Sequence, residues 1–262
     1  MKLEMDPSVA KEYESPSQIA RVVTEEWANE NLYCPACLNG SLEHTRTGKK
    51  LVDYVCTECE ENYQLKSKRG PIKNKISNSA YQPKIEAIQE GTMPNFAFLH
   101  YDSDDWVAKE LQVVPSHFMT KSVIEKRKPL SEDAERSGWV GSNILIENLP
   151  TDGMISLIKN GDTVQKKKVK KKWDSFSFMR KKSAKSRSWT SDILRCIRRL
   201  GEDHFTLKNI YEFEDELAEL HPNNKHIKAK IRQQLQFLRD EGVITFHGDG
   251  WYTVRDLKAM EE

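Results

Sequence analysis

The sequence predicts a mixed α/β layer fold followed by a smaller α+β unit. Apolar runs of strand length alternate with amphipathic helical stretches over residues 16–159, the pattern of a sheet covered by helices. Two Cys-x2-Cys pairs, Cys34/Cys37 and Cys56/Cys59, bracket one of the early strands. From Trp189 the pattern changes to three helical periodicities and a hairpin around a Gly-rich turn.

Ser15-Pro-Ser17 carries an N-cap signal, and Ile19, Val22, Val23 and Trp27 follow helical spacing to about Asn31. Near the end of that helix, Glu25 and Glu26 read either as solvated residues or as one auxiliary acid of an active site. Leu51–Val55 and Asn62–Lys66 read as strands, and Lys68-Arg-Gly-Pro71 closes the second. Asn78–Gln89 reads as a helix. Asn95–Tyr101 is an apolar run suited to a buried central strand, and Ala108–Pro115 is a further strand. Ser116–Glu125 is expected to be helical, with short strands at Gly141–Glu147 and Met154–Lys159. Asn160–Lys185 reads as a boundary region whose lysine run is either a solvated linker or a phosphate contact. Beyond it come helices over Trp189–Leu200 and from Phe205-Thr206 through Leu217, and a third, capped by His221-Pro-Asn-Asn, with Ile227, Ile231, Leu235 and Leu238 at helical spacing. The pairing of Val243–Phe246 with Trp251–Val254 completes the order of a winged helix-turn-helix. The units are placed at 1–182 and 183–262.

Lys+Arg and Asp+Glu nearly cancel over the 262 residues, leaving a net charge of +1, so global charge names no partner. Its distribution does. Gln165–Leu200 holds 14 Lys/Arg against Asp174 and Asp192, an excess suited to a polyanion. No window approaches the ~18 apolar residues of a membrane span, and the N-terminus lacks a signal-peptide core. A cytoplasmic protein is expected, in which paired cysteines are metal ligands and not disulfides. Cys196, among apolar positions at helical spacing, reads as a core thiol.

Cys34-x2-Cys37-x18-Cys56-x2-Cys59 has the spacing of a closed four-thiolate zinc site, with an iron–sulfur cluster or free thiols as alternatives. A full thiolate set leaves no position for substrate, so the metal is structural. The second pattern is Asp53…Gln64-x-Lys66. Alternation along a strand puts Gln64 and Lys66 on one face with Tyr63 and Leu65 toward the core, and pairing with the preceding strand brings Asp53 near them. Oxygen ligands for Mg2+ beside a cation are what metal-dependent phosphodiester hydrolysis requires; polar residues on a solvated strand are the competing reading. On the third C-terminal helix, Asn224, Lys225, His226, Lys228, Lys230, Arg232, Gln233 and Gln234 supply the amide, guanidinium and ammonium groups of a recognition helix. A protein-binding winged helix is the alternative.

The chain resembles, over essentially its whole length, the methyl-directed type IIM (DpnI-like) restriction endonucleases. The likeness rests on Tyr33-Cys-Pro-x-Cys37, Cys56-x-x-Cys59, Leu65-Lys-Ser-Lys68, Asn95-Phe-x-Phe-Leu99, Arg127-Lys-Pro-Leu130, Gly138-Trp139-x-Gly141-x-Asn143 and the long run from Asn224 to Asp240. It implies a PD-(D/E)xK nuclease core with an inserted zinc ribbon, a C-terminal winged helix, and cleavage of double-stranded DNA at Gm6ATC by a monomer. By the same likeness Asp53, Gln64 and the Leu65 carbonyl hold Mg2+, Lys66 is the catalytic lysine, and Trp139 senses the adenine methyl groups. Arg127 and Asn143 fall in the DNA-contacting set. The departure is Gln64, where the family has glutamate. One unit charge at ~4 Å is worth about 4 kcal/mol gross at an effective dielectric of ~20. The second reading implied is therefore a methyl-adenine-binding protein weakened or silenced in catalysis. A zinc-ribbon transcription regulator is a third.

Overall fold

A computed structural model describes residues 1–38, 41–45 and 51–255; part of the loop between the cysteine pairs and the last seven positions of the expected 183–262 unit lie outside that set. Along the chain come α1 (Pro16–Asn31), β1 (Leu42–His44), β2 (Tyr54–Cys56), β3 (Asn62–Arg69), β4 (Lys75–Ala80), α2 (Tyr81–Glu90), β5 (Asn95–Asp102) and β6 (Val107–Val114). After two short 3-10 turns follow β7 (Ile124–Lys126), β8 (Gly141–Leu145), β9 (Ile155–Lys159), β10 (Asp162–Thr163) and α3 (Lys166–Asp174). The C-terminal part comprises α4 (Ala184–Leu200), β11 (His204–Thr206), α5 (Leu207–Tyr211), α6 (Glu214–Leu220), α7 (Ile227–Asp240), β12 (Ile244–Gly248) and β13 (Trp251–Val254).

The main sheet runs β1-β2-β3-β5-β6-β9-β10. Its strands pair antiparallel except β3 with β5, whose parallel register sets Gln64 beside Phe96 and Lys66 beside Phe98. Both faces of β3 are covered. Tyr63 and Leu65 join Val23 and Trp27 of α1 in one apolar cluster, whereas Phe96 and Phe98 pack with Ile76, Ala87 and Ile88 on the other face. That second face is covered by α2 and by a smaller sheet ordered β4-β8-β7.

Four expectations change. Asn78–Gln89 is not one helix, since residues 75–80 form β4, paired with β8, and the helix begins at Tyr81. Inward Ile76 and Asn78 alternate with exposed neighbours, and that period of two outcompetes the helical reading. Ser116–Glu125 holds two 3-10 turns and β7, because Ile124 pairs with Ile144 of β8. The lysine run is α3 and not a linker. Val169 and Trp173, one helical turn apart, are buried against the sheet while the lysines between them face outward or lie at the rim. The expected helix after Phe205 is two, α5 and α6, and α5 is opened by a reciprocal Thr206–Asn209 capping box.

In the C-terminal part the helices α4, α5, α6 and α7 and a three-stranded sheet, β11-β13-β12, form the helix-turn-helix with its wing. Its core is continuous with that of the main fold: Phe118 and Phe176 belong to the same cluster as Trp189, Ile193, Ile231 and Leu235. Polar ties reinforce the join. Arg198 on α4 makes a two-pronged contact with Asp152, whose side chain is fully buried. Asp192 accepts from Ser122 Oγ at 2.7 Å and pairs with His221 Nε2 at 2.9 Å, and the His221 ring stacks on Trp189.

Removing one partner of a buried pair leaves the other charge uncompensated, at a cost of about 3–5 kcal/mol. Arg198→Ala is therefore expected to lower the unfolding free energy by about that amount in urea titration, and Arg198→Ala combined with Asp152→Leu to recover most of it.

Candidate functional site

The four cysteines converge. Their Sγ atoms all lie within 4.8 Å of one another, with Cys34 and Cys59 3.5 Å apart and Cys37 and Cys56 3.6 Å apart. Zn–S bonds of about 2.3 Å in a tetrahedron imply S···S edges of roughly 3.8 Å, so the donor set suits a single metal ion and suggests zinc. Burial pushes the Cys34 thiol far up and Cys59 to about 11; thiols so placed ionise when a cation sits among them. Cys196, the remaining cysteine, is fully buried in the core of α4. Tyr63 Oη lies 3.1 Å from Cys34 Sγ, which ties the cluster to β3. The turn between Cys56 and Glu61 is closed by the Glu61 carbonyl accepting from Cys56 N–H, while the Glu61 carboxylate is held by Asn95 and Arg180.

At the start of β2, the Asp53 N–H donates to the Tyr63 carbonyl at 2.8 Å, and Asp53 Oδ2 accepts from the Leu65 N–H at 2.9 Å. The carboxylate thus takes a position in the β2–β3 ladder that backbone would otherwise fill. Beyond this point β2 no longer pairs with β3, and the freed edge opens into a cavity of about 580 Å3. Asp53, Leu65, Lys66, Ser67 and Lys68 line it, together with Thr24 and Glu25 of α1 and Ser77 of β4. Because N–H and C=O of one strand residue point to the same edge, the Leu65 carbonyl faces this cavity beside the Asp53 carboxylate. Burial raises Asp53, opposed by the Leu65 bond and by Lys66 and His44. Burial lowers Lys66, opposed by Asp53 and Glu25. The lysine thus sits in the field of both carboxylates, a carboxylate–carbonyl–ammonium group suited to a divalent cation and a phosphodiester.

Gln64 shares the face of Lys66, as the alternation requires, yet it is not on a solvated surface. It is 5% exposed, and its Oε1 accepts from Asn78 Nδ2 at 3.4 Å. Behind it lies a group that nothing in the sequence distinguished. Lys84 on α2 is completely buried, with Nζ donating to Ser79 Oγ at 2.7 Å and to the Ala80 carbonyl at 3.2 Å. Burial first, and then the charge of Lys66, push Lys84 down to about 7.

β4 leads from this cavity to the second sheet, where Ser77 pairs with Asn143. Asn143 donates to Glu125. Trp139 is half-buried and lies over Gly141, where an added Cβ would meet the indole at 2.8 Å and the Arg127 side chain at 3.3 Å. Arg127, just after β7, and Trp139, just before β8, therefore meet over Gly141, and Asn143 lies two residues further along β8. In the C-terminal part, Lys225, His226, Lys228, Arg232 and Gln233 are exposed. Lys228 pairs with Glu214, Arg232 donates to Tyr211 Oη, and Gln233 accepts from Lys230. Two expectations need correction. Asn224 lies in the segment ahead of α7, which starts at Ile227, and not on the polar face of the helix; its Oδ1 accepts from the His226 N–H. Gln234 is 3% exposed and accepts from Thr190 Oγ1 at 2.7 Å, so it joins α7 to α4 and does not face outward.

Comparison with protein families gives two matches. The model of the DpnI, Dam-replacing family covers residues 1–182, and that of the DpnI_C, Dam-replacing HTH domain covers residues 185–254. The chain belongs to the Dam-replacing family. Membership implies methylation-dependent DNA cleavage by a restriction endonuclease, with the HTH domain binding DNA. Among the described residues no helix is long and apolar enough to cross a membrane.

Two outcomes are expected of this member of the Dam-replacing family. It should carry one equivalent of zinc by elemental analysis, and Cys37→Ser should lose that metal together with the order of the β2–β3 turn. Lys84 has a folded pKa below its unfolded value of 10.5, so the unfolded chain binds more protons between about pH 7 and 10.5. Over that window stability should rise with pH, by up to about 1.4 kcal/mol per pH unit. Denaturant titrations across it should show that slope, and Lys84→Met should flatten it.

Proposed function

We propose that this chain is a Mg2+-dependent type II endodeoxyribonuclease of PD-(D/E)xK type that cleaves both strands of DNA at Gm6ATC. On this reading the nuclease unit spans 1–182 and a DNA-binding winged helix spans 183–262. The observation that carries it is the meeting of the Asp53 carboxylate, the Leu65 edge carbonyl and the Lys66 ammonium at one cavity, in a chain of the Dam-replacing family.

The Asp53 carboxylate and the Leu65 carbonyl hold Mg2+, and Gln64 stands at the place of the second acidic ligand. When bound, the cation supplies Lewis-acid stabilisation of charge on the scissile phosphate. Lys66 orients the attacking water and balances charge building on the phosphoryl oxygens. Asp53 also fixes the β2–β3 opening through the Leu65 N–H, so it sets the position of the carbonyl beside it. The half-buried indole of Trp139 presents an apolar face to which an adenine N6-methyl adds favourable contact, whereas unmethylated adenine leaves a gap. Arg127 and Asn143 flank it. On the C-terminal surface Lys225, Lys228 and Arg232 contact phosphate or guanine edges, while His226 and Gln233 read bases. The protein acts in the cytoplasm as a monomer.

Incubation with Mg2+ and Dam-methylated or unmethylated plasmid should yield cleavage of the methylated substrate alone; equal cutting of both, or of neither, refutes methyl-directed cleavage. Lys66→Ala should lower the cleavage rate at least about 100-fold while leaving methyl-dependent gel shifts intact. The engagement of Gln64 by Asn78 favours one second reading, a methyl-adenine-binding protein with weak or no catalysis. Its signature is a methyl-dependent shift without cutting, rescued by Gln64→Glu.

A further inference from the structure

The cavity holds a second carboxylate besides Asp53, and it comes from α1. Glu25 lines the cavity with Asp53, Leu65 and Lys66, whereas Glu26, one residue further, is exposed. Two contacts fix the helix at this turn. Tyr54 Oη donates to the Glu25 backbone carbonyl at 2.9 Å, and Thr24 Oγ1 lies 3.0 Å from Ser67 Oγ. One of these anchors adjoins Asp53 on β2 and the other adjoins Lys66 on β3, so α1 is registered to both site strands at the residue carrying the carboxylate. Arg21, one turn earlier, holds Glu25 Oε2 at 3.0 Å from the helix surface.

Position 64 contributes no charge, and its amide oxygen is already engaged by Asn78. On the adjoining turn Glu61 is committed to Asn95 and Arg180, and Glu58 and Glu60 are exposed. A centre that binds a divalent cation through hard oxygen donors gains affinity with each carboxylate it holds. We propose that Glu25 supplies the second carboxylate of the nuclease centre and so restores the negative charge that Gln64 lacks. This rests on the nuclease reading above. Arg21 then acts as a rim cation that keeps Glu25 aimed along the helix until the divalent ion competes for it.

The test is Mn2+ binding to the full-length, zinc-loaded chain by titration calorimetry and electron paramagnetic resonance, without DNA. Glu25→Gln keeps the size of the side chain and its hydrogen bond to Arg21. It should weaken Mn2+ binding at least ten-fold, Glu26→Gln should leave it unchanged, and adding Gln64→Glu to Glu25→Gln should recover most of the loss. Circular dichroism and zinc content establish that each variant is folded, and Glu25→Asp, with a charge but a shorter reach, should fall between wild type and Glu25→Gln. Unchanged Mn2+ affinity in Glu25→Gln, or a loss that Gln64→Glu does not recover, overturns the proposal even if the wild type cuts methylated DNA. A wild type that neither binds Mn2+ nor cuts overturns the nuclease reading as well.

Discussion

The arrangement depends on one local constraint, the pairing of β2 with β3 and the way Asp53 ends it. Two residue pairs, Tyr54 with Tyr63 and Val55 with Asn62, hold the strands together, and the cysteine cluster closes their turn. One residue further the Asp53 carboxylate, in place of a backbone carbonyl, accepts the Leu65 N–H. A carboxylate in the ladder separates the strands, and the separation is the cavity. So short a pairing is weak by itself. It persists because Tyr63 is buried against α1 and the cysteines, and because Asn95 on β5 binds both Glu61 and the Asn62 carbonyl from the far side.

From that opening the rest of the molecule is reached through packed elements. α1 closes one side through Tyr54 and Thr24, and β4 closes the other and carries the register on to Asn143 in the second sheet. The HTH part is not hung on a tether. α4 shares its core with the 3-10 turns after β6 and adds the Arg198–Asp152 pair and the Asp192–Ser122 bond. A join of this kind packs the HTH part, with the exposed polar side chains of α7, directly onto the fold that carries the cavity.

Much of this was legible because it is written in local patterns. The Cys-x2-Cys spacing, the apolar run of β5 and the three helices and hairpin after Trp189 need no knowledge of neighbours. β4 and α3 depart from their local patterns for one reason, that burial of only one or two side chains decides the outcome: Ile76 and Asn78 turned inward make a strand of residues with little β propensity, and Val169 with Trp173 makes a docked helix of a lysine run. Gln234 looked like a reading residue because an amide on a helix is neutral as to face, and only its bond to Thr190 shows which way it points.

The sequence by itself determined the chemistry available: four thiols at metal-ligand spacing, an aspartate and a lysine on neighbouring strands, a tryptophan flanked by glycines, and a charged helix in a winged unit. The tertiary structure decided which of these groups meet. It placed Glu25 in the cavity and Glu26 outside it, turned Gln64 inward to Asn78, and buried Lys84 behind Lys66. Side-chain identity is a local property, but the partner a side chain finds depends on strand edges and helix docking separated by tens of residues. No window of sequence encodes those distances.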